Sequence, residues 1–243
     1  AQIGETKYRT LKEAVEAVGE NETITLLGNA SGDGIKVPSG KKFTLDLGGF
    51  TYEVDGETVG SPGTETNGFQ LLKGSDITIK NGKITTDKAK ILIQKYCNLT
   101  LENVTLIGGE VTQYVLSNNN GTTTLNGSTT ITAQGDNVAF DVYYWPNNGY
   151  ESVTVEIGDE DVEIYGRIEY DHDGTDPEGF KENAKLIIPS GYELKAPEGY
   201  EWADYEAGKQ ILKAITYLAQ IGETKYRTLK EAVEAVGENE TIT

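Results

Sequence analysis

The chain has 243 residues, a hydrophobic content of 37% and a formal net charge of −18 at pH 7. It contains 29 glycines, only 6 prolines and no methionine, a composition typical of many short strands joined by turns. The acidic charge argues against a nucleic-acid partner, because phosphate binding needs a basic face. It argues equally against anionic membranes, and no apolar run is long enough to cross a bilayer.

A complete internal duplication organises the chain. Residues 1–25 recur without one change as residues 219–243. Chance identity over such a length is negligible, so the sequence holds either natural tandem units or an engineered duplication. Both alternatives place the start of a second unit at Ala219. The predicted organisation is a hairpin and capping helix at 1–22, a β-solenoid at 23–218 and the start of the next repeat at 219–243.

The first copy predicts a hairpin followed by a short helix. Its opening residues turn at Gly4, which favours a hairpin. Thr10 stands directly before Leu11 and three residues before Glu13, a capping-box pattern that predicts the start of a helix. Gly19 is expected to end that helix by adopting the left-handed conformation.

The helix is predicted to have one apolar face. Leu11, Val15 and Val18 share that face at helical spacing, and a helix this short is marginal in water without packing. We therefore interpret it as a cap over the open end of the β-solenoid. In the second copy, the helix is expected to dock near residues 211–217 or on another molecule, which would produce head-to-tail association. The predicted contacts between neighbouring repeats are Leu11, Val15, Val18, Leu229, Val233 and Val236.

Short alternating runs fill the chain between the two copies. Residues 77–84 and 99–106 are close analogues, and their spacing is about that of one turn of a parallel β-helix. Stacking such turns places Ile79 over Leu101 and Leu101 over Leu125. The predicted fold is therefore all-β: a right-handed parallel β-helix, or solenoid, with a short N-terminal capping α-helix.

Two residue types mark the turns and the interior of these runs. Asn81 and Asn103 occupy equivalent turns, where asparagine tolerates left-handed geometry and the two amides are expected to bond to each other. The only cysteine, Cys97, has the same parity as Ile93 and Leu99. Residues of one parity lie on one face of a strand, so a buried, inert thiol is predicted.

In these motifs the sequence resembles the right-handed β-helix family typified by pectate lyases. It is more closely similar to a unit of tandem-repeat cell-surface proteins of Gram-positive gut bacteria. The opening AQIGETKYRTLKEAVEAVGENETITLL at 1–27 and the closing APEGYEWADYEAGKQILKAITYLAQIG at 196–222 carry this resemblance, which covers essentially the whole chain. It implies an extracellular structural module of a fibre, stalk or adhesin, whose partners are adjacent copies of the repeat.

The resemblance to lyases raises the alternative of an enzyme. Lyases of this family combine calcium-binding aspartates with a basic residue that abstracts a proton from the sugar. The chain has three arginines, and Arg9 and Arg227 occupy the same repeat position. This leaves Arg167, with Glu169 and Asp171 close in sequence. We predict that the protein is not an enzyme, and a polysaccharide lyase is the lesser alternative.

An aromatic insertion at residues 143–150 suggests a glycan-binding site. Tyr144, Trp145 and Tyr150 are its predicted ligand-binding residues, because exposed flat rings stack on sugar faces. Host or environmental glycans would then be additional partners. The alternative is that the insertion folds onto the body of the protein and hides its rings.

An acidic turn suggests a calcium site. Asp171, Asp173 and Asp176 surround Gly174, and oxygen-rich turns of this kind can hold calcium. The spacing departs from that of an EF-hand loop, so a polar turn without metal is the alternative. No other cofactor is predicted.

Overall fold

The computed structural model describes residues 1–238 and 240–243. Its helices are α1 (Leu11–Ala17), α2 (Pro177–Asn183) and α3 (Leu229–Ala235), with a 3-10 turn at Asn147–Gly149. The first twelve strands are β1 (Gln2–Ile3), β2 (Thr6–Lys7), β3 (Glu22–Thr25), β4 (Ala30–Gly32), β5 (Ile35–Val37), β6 (Lys42–Asp46), β7 (Thr51–Val54), β8 (Val59–Ser61), β9 (Thr64–Leu71), β10 (Asp76–Thr86), β11 (Ile91–Lys95) and β12 (Asn98–Gly108). The others are β13 (Tyr114–Asn118), β14 (Gly121–Asn126), β15 (Thr130–Thr132), β16 (Val138–Tyr144), β17 (Val153–Ile157), β18 (Glu163–Tyr165), β19 (Arg167–His172), β20 (Ala184–Pro189), β21 (Tyr200–Asp204), β22 (Lys209–Ala214), β23 (Ala219–Ile221) and β24 (Thr224–Tyr226).

The predicted hairpin and helix start of the first copy are confirmed. Strands β1 and β2 pair in antiparallel register around Gly4, whose φ is 54°. The Thr10 side chain accepts a hydrogen bond from the Glu13 amide at 3.1 Å, which satisfies one of the free amides of the first turn. The Glu13 carboxylate accepts from the amide of Arg9 at 3.0 Å, one residue before the position that a capping box predicts.

The predicted end of α1 is wrong in detail. Gly19 does not adopt a left-handed conformation, because the chain leaves the helix through Val18 in an extended geometry with φ −59° and ψ 131°. The left-handed residue is Asn21, with φ 61°. The Gly19 amide instead donates to the Glu22 carboxylate at 2.7 Å, so a side chain satisfies it at the entry to β3.

Parallel strands form two large sheets. In the 15-stranded sheet, β3, β6, β10, β12, β14, β17 and β20 follow chain order, and β4, β7, β15 and β18 pair alongside the second halves of β10 and β12. In the 7-stranded sheet the order is β5, β9, β11, β13, β16, β19, and β8 pairs with β9. Antiparallel pairs close the larger sheet, with β1 and β2 beside β3 at one end and β22 and β21 beside β20 at the other.

The predicted register of the central strands is confirmed. Ile79 lies opposite Leu101, and Leu101 lies opposite Leu125. All three side chains are fully buried or nearly so. The repeating apolar pattern therefore selects the register, because a slip of one residue would turn every one of these side chains to the opposite face.

The predicted bond between asparagine amides is wrong. Asn81 and Asn103 do adopt the left-handed conformation, with φ 57° and 55°. The Asn81 amide, however, donates to the Asp46 carboxylate at 3.2 Å, and the Asn103 carbonyl oxygen accepts from the Ser128 amide at 3.1 Å. Each asparagine thus stabilises a turn of a neighbouring strand connection.

The predicted fold class, an all-β right-handed parallel solenoid, is wrong. The structure is mixed α/β, with 50% of the residues in strands and 10% in helices. The strands lie in separate parallel and mixed sheets, and these do not form a closed solenoid. Alternation and spacing predict single strands and their pairing, but they carry no information on whether the sheets close around an axis.

The core lies between the two sheets, and α1 covers one end of it. Val15 of α1 faces apolar side chains from both sheets, and α1 contacts the edge strand β5. Leu11, Val15 and Val18 are 3%, 2% and 1% exposed, so the prediction that this face of the helix packs on apolar side chains is confirmed. Their predicted role in contacts between neighbouring repeats stays a prediction. The side chains around Val15 are Ile35, Val37, Phe43, Leu45, Phe69, Leu71, Ile77 and Ile79. We call these eight residues the N-terminal docking surface.

Helix α2 packs at the other end of the body. Asp176 caps it by accepting from the Gly179 amide at 2.9 Å. Phe180 is buried, with ring centroids 4.9 Å from Tyr170 and 6.3 Å from Tyr144. Within the described residues, no helix has the length and apolar character that a membrane span requires.

Candidate interaction surface

The second copy of the duplicated segment folds like the first. Strands β23 and β24 form the same hairpin around Gly222, whose φ is 56°. The Thr228 side chain accepts from the Glu231 amide at 3.2 Å, and the Glu231 carboxylate accepts from the Thr228 amide at 3.0 Å. The capping box is therefore complete at the start of α3. Local sequence is sufficient to form this hairpin–helix element.

Two contacts inside the element recur in both copies. Ala14 and Ala232 are both 0% exposed. Ile221 forms an antiparallel bridge with Ile242, as Ile3 pairs with Ile24 in the first copy. The hairpin and one face of the helix thus form a small unit with its own contacts.

The apolar face of the helix has opposite exposure in the two copies. Leu229 is 60% exposed and Val233 is 57% exposed, whereas their counterparts in α1 are buried. Val236 is half-buried. The second copy forms a small cluster around Ala219 and Ile221 that is separate from the main core. The predicted role of Leu229, Val233 and Val236 in contacts between repeats stays a prediction, and the structure leaves Leu229 and Val233 exposed to solvent.

The expected docking of the second helix near residues 211–217 is wrong. Ile211 and Leu212 are buried within the body, where β22 pairs with β20 and β21. Helix α3 instead contacts its own hairpin, β23 and β24.

The second copy and the residues before it carry an unusual share of exposed apolar side chains. Of the eight large hydrophobic residues that are exposed in the described chain, four lie between residues 217 and 233. These four residues are Tyr217, Leu218, Leu229 and Val233. Leu229 and Val233 lie one turn apart on α3, and exposed apolar groups that adjoin in this way mark interaction sites in soluble proteins.

An ion pair connects the second copy to the body. The Arg227 guanidinium lies 2.7 Å from the Glu201 carboxylate of β21. Both side chains are about half exposed, so solvent screens the pair and its contribution to stability is small.

The aromatic insertion folds onto the body, which is the alternative that the sequence left open. Tyr144 is 4% exposed and its hydroxyl donates to Asp176 at 3.2 Å, so its ring lacks the exposed face that stacking on a sugar requires. Tyr150 stacks on Tyr96 at 4.9 Å. Trp145 lies 5.5 Å from Tyr150, and for these two half-buried residues glycan binding stays a prediction.

The predicted calcium site does not form. The Asp173 carboxylate accepts from Thr175 and from the Asn147 amide, and Asp176 caps α2. Asp171 accepts from the amide of His172 at 2.8 Å. Each carboxylate is thus used in its own local turn, and the described residues contain no group of three acidic, histidine or cysteine side chains that could hold a metal ion.

The residues considered for lyase chemistry lie on β19. The Arg167 guanidinium pairs with the Glu169 carboxylate and donates to the Asp136 carbonyl at 3.3 Å. Glu169 also accepts from the Tyr114 hydroxyl at 3.0 Å. Arg167 is therefore paired with an acidic neighbour on its own strand.

The burial of one lysine was not predicted from the sequence. Lys95 is 0% exposed and donates to the carbonyls of Asn120 and Gly121 at 2.8 and 2.9 Å. Burial lowers the pKa of Lys95 to about 7. Lys95 has the same parity in sequence as Ile93 and Cys97, and this pattern could have indicated that its side chain lies on the buried face. The predicted burial of Cys97 is confirmed, and burial raises the pKa of its thiol to about 12.

A buried aspartate was also missed. Asp141 accepts from the Ser117 hydroxyl at 2.9 Å and from the Asn118 amide at 2.5 Å. Burial raises the pKa of Asp141 to about 7. Its position inside the apolar run from Val138 to Tyr144 was the available signal. These bonds join β13 to β16, so we assign the group a structural role.

Comparison with known proteins identifies no relative: no protein-family model, no curated protein and no solved structure matches the chain. The resemblance to tandem-repeat cell-surface proteins therefore rests on the sequence motifs alone. The two copies of the hairpin–helix element are the features of the molecule that bear on its function.

Proposed function

We propose that the protein is a non-enzymatic structural repeat module of a bacterial extracellular fibre, stalk or adhesin. Neighbouring repeats join end to end through the hairpin–helix element. One observation carries the proposal: a single amino-acid sequence folds twice in the same way, and its apolar face is buried in one copy and exposed in the other. The extracellular location is supported by the sequence resemblance and by the acidic surface.

The first copy shows what kind of partner would cover α3. In that copy, Val15 packs on the N-terminal docking surface, and Leu11 and Val18 are buried in the same apolar core. Burying a leucine or valine side chain contributes about 1.5–3 kcal/mol. A neighbouring repeat that presents an equivalent docking surface would therefore bury the C-terminal copy with a comparable gain.

Polar contacts of the first copy support the same partner. The Lys41 ammonium donates to the Val18 carbonyl at 2.7 Å. The Lys42 ammonium lies 3.7 Å from Glu20. Because the duplication is complete, the second copy carries the counterpart of each first-copy residue, namely Val236 and Glu238. An equivalent docking surface would thus find the same apolar and polar partners.

A tandem chain in which residues 26–218 are joined after Thr243 tests the proposal. We expect Val233→Cys to react rapidly with a thiol reagent in the present chain, where Val233 is 57% exposed. In the tandem chain its reaction should slow to the rate of Val15→Cys, the buried reference. Cys97 should contribute little background, because it is 2% exposed and burial raises the pKa of its thiol. Equal reactivity of Val233→Cys in both chains would contradict the proposal.

A further inference from the structure

We infer that residues 219–243 of one copy can occupy the N-terminal docking surface of a second copy of this chain when residues 1–25 of that copy leave it. The inference rests on the proposed function and deepens it. It assigns the partner, a second copy, and the surface on that partner. The exchanged unit is the whole hairpin–helix element.

The apolar and backbone contacts of the exchange are already present in the structure. Val233 would replace Val15 against the eight residues of the docking surface, and Leu229 would take the buried position of Leu11. In the first copy, Ile24 of β3 pairs in parallel with Leu45 of β6. Ile242 is the identical residue of the second copy, so it can take the same place beside β6. Identical residues make no contact worse than in the closed chain.

The topology allows residues 1–25 to leave. Strands β2, β1 and β3 form one edge of the 15-stranded sheet, in the order β2-β1-β3-β6. Their departure separates β3 from β6 and lifts α1 from β5, and the pairing of every later strand is retained. Elements at an edge with few covering contacts open at lower free energy than the centre of a domain.

The free energy of exchange determines which variants form the exchanged complex in detectable amounts. In the unaltered protein, the incoming element packs on the docking surface with the same side chains as the departing one, so the exchange brings no net interaction energy. Association also has an entropic cost, and the tethered first copy has a high effective concentration. The unaltered protein should therefore stay closed, and weakening the first copy should reveal the exchange.

The test uses full-length chains with matched roles. Leu11→Asp/Leu229→Asp is the acceptor, since its own first copy docks poorly and its second copy cannot donate. The unaltered protein is the donor, and Leu229→Asp is the matched donor control. We expect a 1:1 complex between acceptor and donor in sedimentation velocity, and no complex between acceptor and control. We also expect the thermal midpoint of the acceptor to rise when the donor is added and to stay unchanged when the Leu229→Asp control is added.

A second, milder acceptor keeps the test decisive if the first acceptor does not fold. Leu11→Ala/Leu229→Ala is the milder acceptor, and folding of either acceptor is checked by circular dichroism. A synthetic peptide with the sequence of residues 219–243 serves as a second donor. A folded acceptor that binds neither the unaltered protein nor this peptide overturns the exchange.

The outcome is distinguishable from failure of the proposed function. One outcome is slow thiol reaction of Val233→Cys in the tandem chain and no complex in the mixing experiment. This outcome would overturn the exchange but support the proposed contact between covalently joined repeats. A complex in the mixing experiment with an unprotected Val233→Cys in the tandem chain would support exchange and contradict the junction.

Discussion

Helices α1 and α3 have the same seven residues and the same threonine at the N-terminal cap, but they occupy opposite environments. Leu11 is 3% exposed in α1, and Leu229 is 60% exposed in α3. The alanines that face the hairpins, Ala14 and Ala232, are fully buried in both. The comparison separates two kinds of packing. Contacts within the hairpin–helix element form in either setting, whereas the leucine and valine face needs a surface from outside the element.

The polar surroundings of the two copies differ for the same reason. Lys41, beside the first copy, binds the last turn of α1. The second copy is held to the body by the exposed pair of Arg227 and Glu201. An element attached mainly by a solvent-screened ion pair is weakly anchored. Substitutions in the second copy should therefore have little effect on the free energy of unfolding of the body.

The largest expected difference concerns the leucine of each helix. Leu11→Ala should lower the free energy of unfolding by about 2–5 kcal/mol, because it removes a buried side chain and leaves a cavity. Leu229→Ala should change it by less than about 0.5 kcal/mol, as for exposed positions generally. Urea unfolding at low protein concentration measures both values. Equal losses for the two variants would show that α3 is also buried in solution.

A second prediction uses pH to separate the body from the C-terminal copy. Burial raises the pKa of Asp141 above its unfolded value, so the folded state holds this proton more tightly. The associated stability is present at about pH 4 and is lost as pH rises towards 7, a change on the order of 2–3 kcal/mol. The stability of the unaltered protein relative to Asp141→Asn should therefore increase as pH falls over this range.

Urea unfolding across the same pH range checks this dependence, with the exposed Asp136→Asn as the control that should leave it unchanged. Deleting residues 219–243 should also leave it unchanged, because α3 does not pack on the body. Loss of the pH dependence on that deletion would mean that the second copy is energetically part of the body.

A smaller difference is expected for the caps. Thr10→Ala should lower the free energy of unfolding by about 1 kcal/mol, since it removes the acceptor for the Glu13 amide. Thr228→Ala should reduce the helicity of α3 without changing the unfolding of the body. Chemical shifts from nuclear magnetic resonance and urea unfolding distinguish the two effects, and the serine variants should restore both. A body destabilised by Thr228→Ala would contradict the separation of the two regions.

The smallest effect is expected for the ion pair between the second copy and the body. Glu201→Gln should weaken the attachment of the second copy by about 0.2–1 kcal/mol. Thermolysin should then cleave near Leu229 modestly faster, while the unfolding of the body is unchanged. Glu198→Gln is the matched control for loss of one surface carboxylate. An identical cleavage rate in both variants would exclude a role of this pair in the attachment.

Much of the local structure was predictable because it depends on short-range rules. The Thr10–Glu13 spacing predicted the helix start, parity predicted the burial of Cys97, and similar runs predicted that Ile79 lies opposite Leu101. Each depends on steric and hydrogen-bond preferences within a few residues, or on an alternating pattern shared by paired strands.

Other features depended on groups distant in sequence. The partners of Asn81 and Asn103 are Asp46 and Ser128, which no local pattern connects to them. Lys95 alternates in sequence with core residues, but a buried ammonium group also needs hydrogen-bond acceptors. The two carbonyls that accept from it belong to a distant segment of the chain. The sequence left open whether the ring of Tyr144 is exposed, and the packing of Phe180 of α2 near that ring decided it.

The amino-acid sequence alone determined the hairpin, the capped helix and the strand register, because these follow from backbone sterics, short hydrogen bonds and apolar periodicity. The tertiary arrangement decided the fold class and the exposure of each copy of the duplicated segment. Residues 1–25 and 219–243 have the same sequence and form the same hairpin and helix, but only the first copy packs on the N-terminal docking surface. Burial is a property of the surroundings, so identical sequences can be part of the core in one place and a binding surface in another.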